Sequence, residues 1–531
     1  MALTAILAVS AIILASIFYT YRKWNYGIFK RLGIPGPDPE MFIGNFKQAA
    51  DQGLGKTLFK WYNDYGPTFG YFEGPTPVLA TTDLEIIRSV YISNFSNFPN
   101  RKVVPFFPND DHEEALLPIM SGKRWKRIRS IVSRTFTARK LNEMVPQMNE
   151  AVDIFLEVIE SKAKQNKPFD MVSLFSEYSL DVIASCAFGL KMEAQRSQQS
   201  RFRVESERCF ANIFSQTNIL VLAALIFPGL NNFLLRLRKP LELCGLYQDP
   251  QLWVEDMAMK IIESREHQQK TDRVDFIQLM LNAHAQIPTS FNSLSMSYDI
   301  DGDTEPNVTE KKLSAPCQQN TLTKKEVVAT STVFLLAGHE TSSTSLANAT
   351  YRLALNPEVQ DKLFEEINLH IPENKPVELA DLKQFSYLDM VISEVLRMHP
   401  LIPSIVARRC QSEVTVNGIR IPCGMNVTAN VYALHYDADH WGPFDPEQFQ
   451  PDRFLPMYQD QRDPLVYMPF GIGPRNCVGM RFAMIELKIT LIRLLRNYRL
   501  LQCAETEVPL QTQERGTIVP KHGIYIRVVK R

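Results

Sequence analysis

Hydrophobic residues recur along much of this chain at the three- and four-residue spacing of amphipathic helices. Helical patterns with apolar faces occupy residues 54–65, 169–190, 200–237 and 321–355, and a last one ends near residue 495. Strand-like patterns are shorter, at residues 68–81, 413–421 and 517–529. The pattern therefore predicts many helices and a few short strands.

The N-terminus begins with an uncharged apolar run at residues 2–21. Such a run is about long enough to cross a bilayer as one helix. A cleavable signal peptide is the alternative, because residues 8–11 offer small side chains. The cations Arg22, Lys23, Lys30 and Arg31 follow the run, and none precedes it. This order favours an uncleaved anchor that leaves the rest of the chain in the cytosol.

The anchor and its basic flank are predicted to end at residue 33, and a stiff proline-rich hinge occupies residues 34–40. A catalytic domain is predicted at residues 41–531. Within it, the apolar stretch 219–235 is interrupted by Pro228-Gly229 and fits either a lid that dips into the membrane interface or an ordinary core helix. The polar segment 288–320 is predicted to be a connection.

Composition narrows the classes of function. Lys plus Arg and Asp plus Glu both number 58, so global charge gives no argument for a nucleic-acid partner. The eight cysteines are scattered without a CxxC pair, which argues against a zinc site or a disulfide framework and fits a reducing compartment.

The main chemical stretch is the glycine-rich loop at residues 469–481, with Cys477 inside it. Glycines at 471, 473 and 479 let backbone N–H groups approach the sulfur, and a helix follows, so both favour a thiolate. Arg475 supplies a fixed cation and Phe470 an apolar wall. A soft anionic ligand beside a cation and a flat wall indicates an iron porphyrin with two propionates. A buried structural thiol is the alternative for Cys477 taken alone.

Two predicted helices carry further candidate functional residues. Trp125 and Arg129 are four residues apart and share a face of a basic helix, while Lys126 and Arg127 lie mostly on another face. In the segment 321–355, Thr323-x-x-Glu326 predicts a capping box, and Ala337-Gly338-His339-Glu340-Thr341 lies in mid-helix. Glycine there costs on the order of 1 kcal/mol relative to alanine, so a function or a simple kink must explain it. His339 is interpreted as a satisfied helix histidine.

Glu394-x-x-Arg397 places opposite charges on one helix face, but Glu205-x-x-Arg208 has the same spacing. The first pair differs because Phe449-Gln-Pro-Asp-Arg-Phe454 follows it. Arg453 is therefore predicted to close a buried network with Glu394 and Arg397.

Phe470-x-x-Gly473-x-Arg475-x-Cys477-x-Gly479 resembles the haem-binding loop of the cytochrome P-450 monooxygenases at every fixed position. Other matching motifs are the Trp125-x-x-x-Arg129 pair, Ala337-Gly338-x-Glu340-Thr341, Glu394-x-x-Arg397 and the segment around Arg453. Ser-Arg-Thr-Phe-Thr at 133–137 and Arg-Val-Asp-Phe-Ile-Gln-Leu-Met at 273–280 make the chain similar to the microsomal, family-three branch, which oxidises steroids and drugs.

The resemblance implies a mostly α fold with a small β region and haem b (iron protoporphyrin IX) as cofactor. It implies that Cys477 is the iron ligand, that Phe470 and Arg475 line the haem, and that Trp125, Arg129, Arg408 and Arg101 hold its propionates. Glu340 and Thr341 would deliver protons to dioxygen, in a helix that the threonine hydroxyl opens. The turn near residues 518–519 would reach the substrate.

The implied reaction inserts one atom of dioxygen into a lipophilic substrate such as a xenobiotic, a steroid or a fatty acid. Electrons would come from NADPH-cytochrome P-450 reductase, docking near Lys126 and Arg127, and cytochrome b5 is a second candidate partner. The implied location is the endoplasmic reticulum membrane. Two alternatives remain at this point, namely a haem-thiolate isomerase or dehydratase acting on lipid peroxides, and a haem-binding sensor or carrier.

Overall fold

A computed structural model describes residues 2–102, 116–196, 204–205, 208, 219–245, 250–266, 275–285, 321–371, 375–402, 406–514 and 516–531. The connection predicted at 288–320, the start of the 200–237 segment and the start of the 273–280 motif lie outside these residues. The chain forms two compact units, one from residues 1–107, 215–241 and 402–434 and the other from the remaining residues up to 531.

Helices dominate the described residues, which confirms the mostly α fold. In the first half of the chain the α-helices are α1 Ala2–Tyr26, α2 Ile28–Leu32, α3 Phe46–Gln52, α4 Leu54–Tyr65, α5 Leu84–Arg88, α6 Gly122–Ser133, α7 Ala138–Lys164, α8 Met171–Ile183, α9 Ile219–Ile226, α10 Asn231–Arg236, α11 Arg238–Leu243 and α12 Pro250–Glu266. In the second half they are α13 Phe276–Ala285, α14 Lys324–Leu355, α15 Pro357–His370, α16 Ser386–Met398, α17 Val431–Tyr436, α18 Ala438–Trp441, α19 Pro456–Gln459 and α20 Met480–Asn497.

The strands are short, which confirms the small β region. They are β1 Thr68–Glu73, β2 Thr76–Thr81, β3 Asn100–Arg101, β4 Phe169–Asp170, β5 Arg408–Arg409, β6 Val414–Val416, β7 Ile419–Ile421, β8 Asn426–Ala429, β9 Tyr498–Leu501, β10 Thr512–Glu514, β11 Ile518–Pro520 and β12 Tyr525–Lys530. The first unit contains a five-stranded sheet in the order β1-β2-β8-β5-β3 and the β6-β7 hairpin. The second contains a three-stranded sheet, β4-β12-β9, and the β10-β11 hairpin.

The core of the first unit lies between α4 and the β1-β2 hairpin, where Trp61, Phe69, Tyr71 and Val78 are buried together. The proline-rich segment packs on this hairpin, because the Gly70 N–H donates to the Pro35 carbonyl over 2.9 Å. A Cβ at Gly36 would lie 2.0 Å from the Gly70 carbonyl oxygen, so only glycine permits this approach.

The second unit is built around α14, the long helix that the sequence predicts as buried. Its first turn contains the predicted capping box, with Thr323 and Glu326 bonded to each other's backbone N–H groups. Helices α8, α12, α13, α15, α16 and α20 all pack against α14. This central position brings the chemical motif at 337–341 into the interior of the unit.

Candidate haem-thiolate site

Two glycines shape the loop that carries Cys477. Gly471 and Gly473 have φ angles of +70° and +69°, in the left-handed region that side chains disfavour. The chain turns back at this point, since the Cys477 N–H donates to the Phe470 carbonyl over 2.8 Å. Helix α20 begins three residues later, at Met480. The loop thus presents Cys477 close to a helix N-terminus, where a thiolate is stabilised.

The Cys477 thiol is exposed, which contradicts the buried structural thiol considered as its alternative. A Cβ added at Gly479 would lie 4.0 Å from the sulfur and 3.9 Å from Cε1 of Phe136. A side chain at residue 479 would therefore begin to cover the sulfur, and glycine leaves it open to a ligand.

Arg475, within the loop, is 3% exposed, and its side chain is held by two contacts. Its Nη2 donates to the Met120 carbonyl over 2.6 Å, and its guanidinium carbon lies 4.1 Å from the centre of the Trp125 ring. Arg129, one turn after Trp125, donates to Oδ1 of Asn476 over 2.8 Å. Helix α6 thus holds the two residues that precede Cys477, so the structure brings Trp125, Arg129 and Arg475 together.

An aromatic cluster joins the elements around this loop. Phe136 and Phe276 have ring centroids 4.5 Å apart, Phe334 of α14 lies 5.4 Å from Phe136, and Phe482 of α20 lies 5.7 Å from Phe276. The aromatic rings connect α14 to the start of α20. The helix that carries Thr341 and the loop that carries Cys477 are therefore joined within one unit.

The middle of α14 is unusual because Ala337 is exposed within a helix whose preceding residues, 326–336, are buried. Gly338, Glu340 and Thr341 are partly exposed. Small and polar side chains therefore border open space at this point, as a site for dioxygen requires. Gly338 also has a packing role that sequence reasoning missed, since a Cβ there would lie 2.7 Å from Cδ1 of Ile183 in α8.

The predicted opening of α14 at the threonine is not observed. The helix runs unbroken from Lys324 to Leu355. The Thr341 hydroxyl donates to the Ala337 carbonyl, four residues earlier, over 2.5 Å. A threonine side chain can make this bond without interrupting the helical ladder. His339 is buried with its Nε2 3.0 Å from the Ser176 hydroxyl, so the structure supports the interpretation as a satisfied helix histidine for one of its two ring nitrogens.

Two partners of the α14 motif were not predicted. The Thr517 hydroxyl, near the C-terminus, donates to Oε2 of Glu340. Glu486 of α20 accepts hydrogen bonds from Ser342 over 2.7 Å and Ser179 over 3.2 Å, and its complete burial raises its pKa to about 8. The apolar spacing of α20 places Glu486 on the buried face, and that spacing is the one sequence signal that could have identified it.

Arg408 and Arg101 belong to the first unit, where they are opposite each other on the antiparallel strands β5 and β3. Like charges in this position repel each other. Arg408 is 2% exposed, and burial lowers its pKa. Among the described residues no carboxylate forms an ion pair with Arg408, whose guanidinium carbon lies 4.8 Å from the centre of the Tyr91 ring. A buried Arg408 in register with a partly exposed Arg101 fits a site for an external anion.

The predicted charge network of α16 is present. Arg397 donates to both carboxylate oxygens of Glu394 over 2.7 and 2.8 Å, and Arg453 Nε donates to Glu394 over 2.9 Å. All three side chains are fully buried. Their remaining donors reach backbone carbonyls, including those of Trp441 and Pro446. The network therefore ties α16 to the segment that precedes the Cys477 loop.

The basic face of α6 is less free than the sequence suggests. Arg127 donates to Glu326 over 2.6 Å and to the Thr321 carbonyl, and Arg124 donates to Glu326 over 3.2 Å. Both cations therefore hold the N-terminus of α14. Lys123 and Lys126 are exposed.

The donor set fits a haem. An open thiol follows a glycine-shaped loop, two arginines and a tryptophan lie beside it, and α14 offers small residues next to a hydroxyl and a carboxylate in the same unit. Thiolate ligation with cationic partners for propionates is the arrangement that a haem-thiolate protein needs.

Comparison with known proteins shows the family of the chain. A family model described as Cytochrome P450 matches residues 34–528. Cytochrome P450 3A11 of Mus musculus is 35% identical over 527 residues, which cover 99% of this chain and 96% of that protein. Cytochrome P450 3A5 of Homo sapiens is 34% identical over 530 residues, covering 99% and 96%, and cytochrome P450 3A2 of Rattus norvegicus is 34% identical over 516 residues, covering 97% and 95%. The chain therefore belongs to the cytochrome P450 family of haem-thiolate monooxygenases and is similar to its family-three branch.

Proposed function

We propose that this monooxygenase holds haem b through Cys477 and inserts one oxygen atom into a lipophilic substrate, such as a xenobiotic, a steroid or a fatty acid. The observation that carries the proposal is the open thiol of Cys477 in the same unit as the exposed middle of α14. Haem with a thiolate ligand supplies the reductive activation of dioxygen. Substrate, dioxygen, NADPH and one proton yield hydroxylated product, water and NADP⁺, so two electrons and two protons are used in each turnover.

The chain's own residues would bind the cofactor and supply the protons. Arg475, Arg129 and Trp125 would hold a propionate edge, because they are already fixed around the Cys477 loop. Arg408 and Arg101 are proposed as further propionate partners, since both are cations in register on neighbouring strands. Phe470 would pack against the porphyrin. Glu340 and Thr341 would hold and move protons on the exposed side of α14.

The proposed electron donor is an NADPH-dependent cytochrome P-450 reductase, with cytochrome b5 as an alternative donor. Lys123 and Lys126 are the exposed cations of α6 that an acidic surface could meet, whereas Arg127 already pairs with Glu326. Surface charges of this kind mainly steer association and make it dependent on salt.

Reconstitution with reductase and NADPH distinguishes the candidate functions. A monooxygenase forms hydroxylated product only when both are present. Consumption of a lipid hydroperoxide without NADPH would instead support the isomerase, and haem binding without either reaction would support the sensor. A panel of sterols, fatty acids and xenobiotics that shift the haem spectrum identifies the substrates to use.

Thr341→Ala is expected to lower product per NADPH about tenfold or more, because a positioned proton donor is removed. NADPH consumption continues and the reduced oxygen leaves as hydrogen peroxide, which is measured beside product. Thr332→Ala is the matched control, since Thr332 lies in the same helix and also donates to the carbonyl four residues earlier, over 3.0 Å. Unchanged coupling in Thr341→Ala would contradict the proposed role.

The proposed location is the endoplasmic reticulum membrane, with residues 1–33 as anchor and flank, 34–40 as hinge and 41–531 as the cytosolic haem domain. Among the described residues, two helical stretches are long and apolar enough to cross a membrane. The most apolar part of Thr4–Leu32 has no buried residue, whereas most of Met171–Phe188 is buried, as in a core helix. Phe18 of α1 lies 5.8 Å from Phe227, and Phe227, Leu230 and Phe233 are exposed. These side chains support a second contact with the membrane interface.

Deleting residues 2–21 is expected to release several-fold more protein in a high-salt wash, because the apolar helix is the main anchor. The measurement is the haem content of pellet and supernatant after centrifugation. Adding Phe227→Ser and Phe233→Ser to the truncated chain should release most of the remainder. Full retention of the truncated chain would place the anchor elsewhere.

A further inference from the structure

We propose that Thr517 is a positioning residue, which orients the carboxylate of Glu340 for proton delivery and links that carboxylate to the C-terminal β10-β11 hairpin. This inference rests on the proposed role of Glu340. It begins from one contact, in which the Thr517 hydroxyl donates to Oε2 of Glu340 across 177 residues of sequence. A hydroxyl bonded to a carboxylate forms one of the stronger hydrogen bonds in proteins.

The two partners differ in their surroundings. Thr517 is 1% exposed, while Glu340 is partly exposed on the open stretch of α14. The hydroxyl is therefore shielded from water, whereas the carboxylate reaches from the open stretch to meet it. A hydrogen bond shielded in this way limits the orientations of the carboxylate, which otherwise has rotatable bonds on a partly open surface.

The backbone around Thr517 is itself fixed. The next residue, Ile518, donates its N–H to the Leu401 carbonyl over 2.8 Å. Strand β11 then pairs with β10, with Ile518 opposite Glu514 and Val519 opposite Gln513. The hydroxyl thus projects from an anchored hairpin, so it can act as a fixed reference point for the carboxylate rather than follow it.

The same hairpin carries two partly exposed apolar side chains, Ile518 and Val519, directly after Thr517. The main-chain connection means that a displacement of the hairpin moves the donor to Glu340. A displacement of the hairpin should therefore change, through Thr517, how tightly oxygen reduction is coupled to product formation. Glu340 would remain the catalytic residue, and Thr517 would act through it.

The test compares Thr517→Val, which keeps the shape but removes the hydroxyl, with Thr517→Ser, which keeps the hydroxyl. In full-length holoenzyme reconstituted with reductase and NADPH, we expect Thr517→Val to lower product per NADPH by about threefold or more, with a matching rise in peroxide. Thr517→Ser should restore coupling to within about twofold of the parent chain. Substrate affinity, from the spectral titration, should stay the same in both, because neither change touches the carboxylate itself.

Thr506→Val is the matched control, because Thr506 is also a buried threonine near the C-terminus but donates to the Tyr525 carbonyl over 2.7 Å. Its coupling should equal that of the parent chain. If Thr517→Val incorporates less haem, Thr517→Ala replaces it, and the product per NADPH is compared at equal haem concentration. Equal coupling in Thr517→Val or its replacement and in the parent would overturn the inference.

A double variant separates the proposed role of Glu340 from that of Thr517. If Thr517 acts through Glu340, then Thr517→Val should cause no further loss of coupling in a Glu340→Ala chain. A further loss there would overturn the inference. If Glu340→Ala is itself fully coupled, the proposed proton-delivery role of Glu340 fails. If Glu340→Ala uncouples the enzyme while Thr517→Val does not, only the role of Thr517 fails.

Discussion

Replacing Cys477 with alanine is expected to abolish the red-shifted absorbance of the reduced carbonyl complex and the NADPH-dependent formation of product. The thiol is exposed in its loop and is the sulfur that the loop presents. Alanine leaves the loop backbone intact, because the hydrogen bond from residue 477 to the Phe470 carbonyl is made by the main-chain N–H. The loss of activity should exceed the ~10- to 100-fold loss that follows removal of an outer partner of a metal ligand.

Cys423→Ala provides the control for this experiment, because Cys423 is another exposed free thiol and lies in the first unit. Its carbonyl spectrum and turnover should match those of the parent chain. A red-shifted carbonyl band that persists in Cys477→Ala would rule out Cys477 as the iron ligand and would remove the basis of the proposed site.

Glu394→Ala is expected to destabilise the fold strongly. It leaves Arg397 and Arg453 fully buried without their shared carboxylate. Removing one partner of a buried ion pair costs about 3–5 kcal/mol, and here one carboxylate serves two guanidinium groups. Since domains are stable by only about 5–15 kcal/mol, this loss is a large fraction of the total. The measurements are haem retention and the free energy of unfolding in denaturant.

The matched control is Glu413→Ala. Glu413 pairs with Arg420 over 2.9 Å, but the two side chains are 49% and 60% exposed. An exposed pair of this kind contributes about 0–1 kcal/mol, so the variant should unfold almost as the parent does. A Glu394→Ala chain with parental stability would show that burial of the network is not what holds α16 in place.

The same comparison shows where local sequence stops being informative. Glu394-Arg397 and Glu205-Arg208 have identical spacing, and both pairs are within ion-pair distance. One pair is fully buried, whereas Glu205 and Arg208 are 15% and 55% exposed. Spacing of three residues brings the charges together on any helix, but burial depends on what packs against that helix. The motif around Arg453 was the signal that separated the two pairs in advance.

Other interpretations changed for the same reason. The sequence explains Gly338 by a function or by a simple kink, and the structure adds close packing against Ile183 of α8. Arg127 was assigned to a docking face, and the structure pairs it with Glu326 at the start of α14. In each case the partner lies far away in the sequence, and no periodicity within one helix could show it.

The sequence by itself determined the family, the predominance of helices, the loop of Cys477 and the capping box of α14, because each depends on residues within about a dozen positions of one another. The tertiary structure alone decided which distant groups meet these motifs, namely Asn476 with Arg129, Glu486 with Ser342, and Thr517 with Glu340. The physical reason is the separation of the interacting residues along the sequence. Turn and helix geometry fixes neighbours along the chain, whereas contacts between separate elements exist only after the whole core has packed around α14.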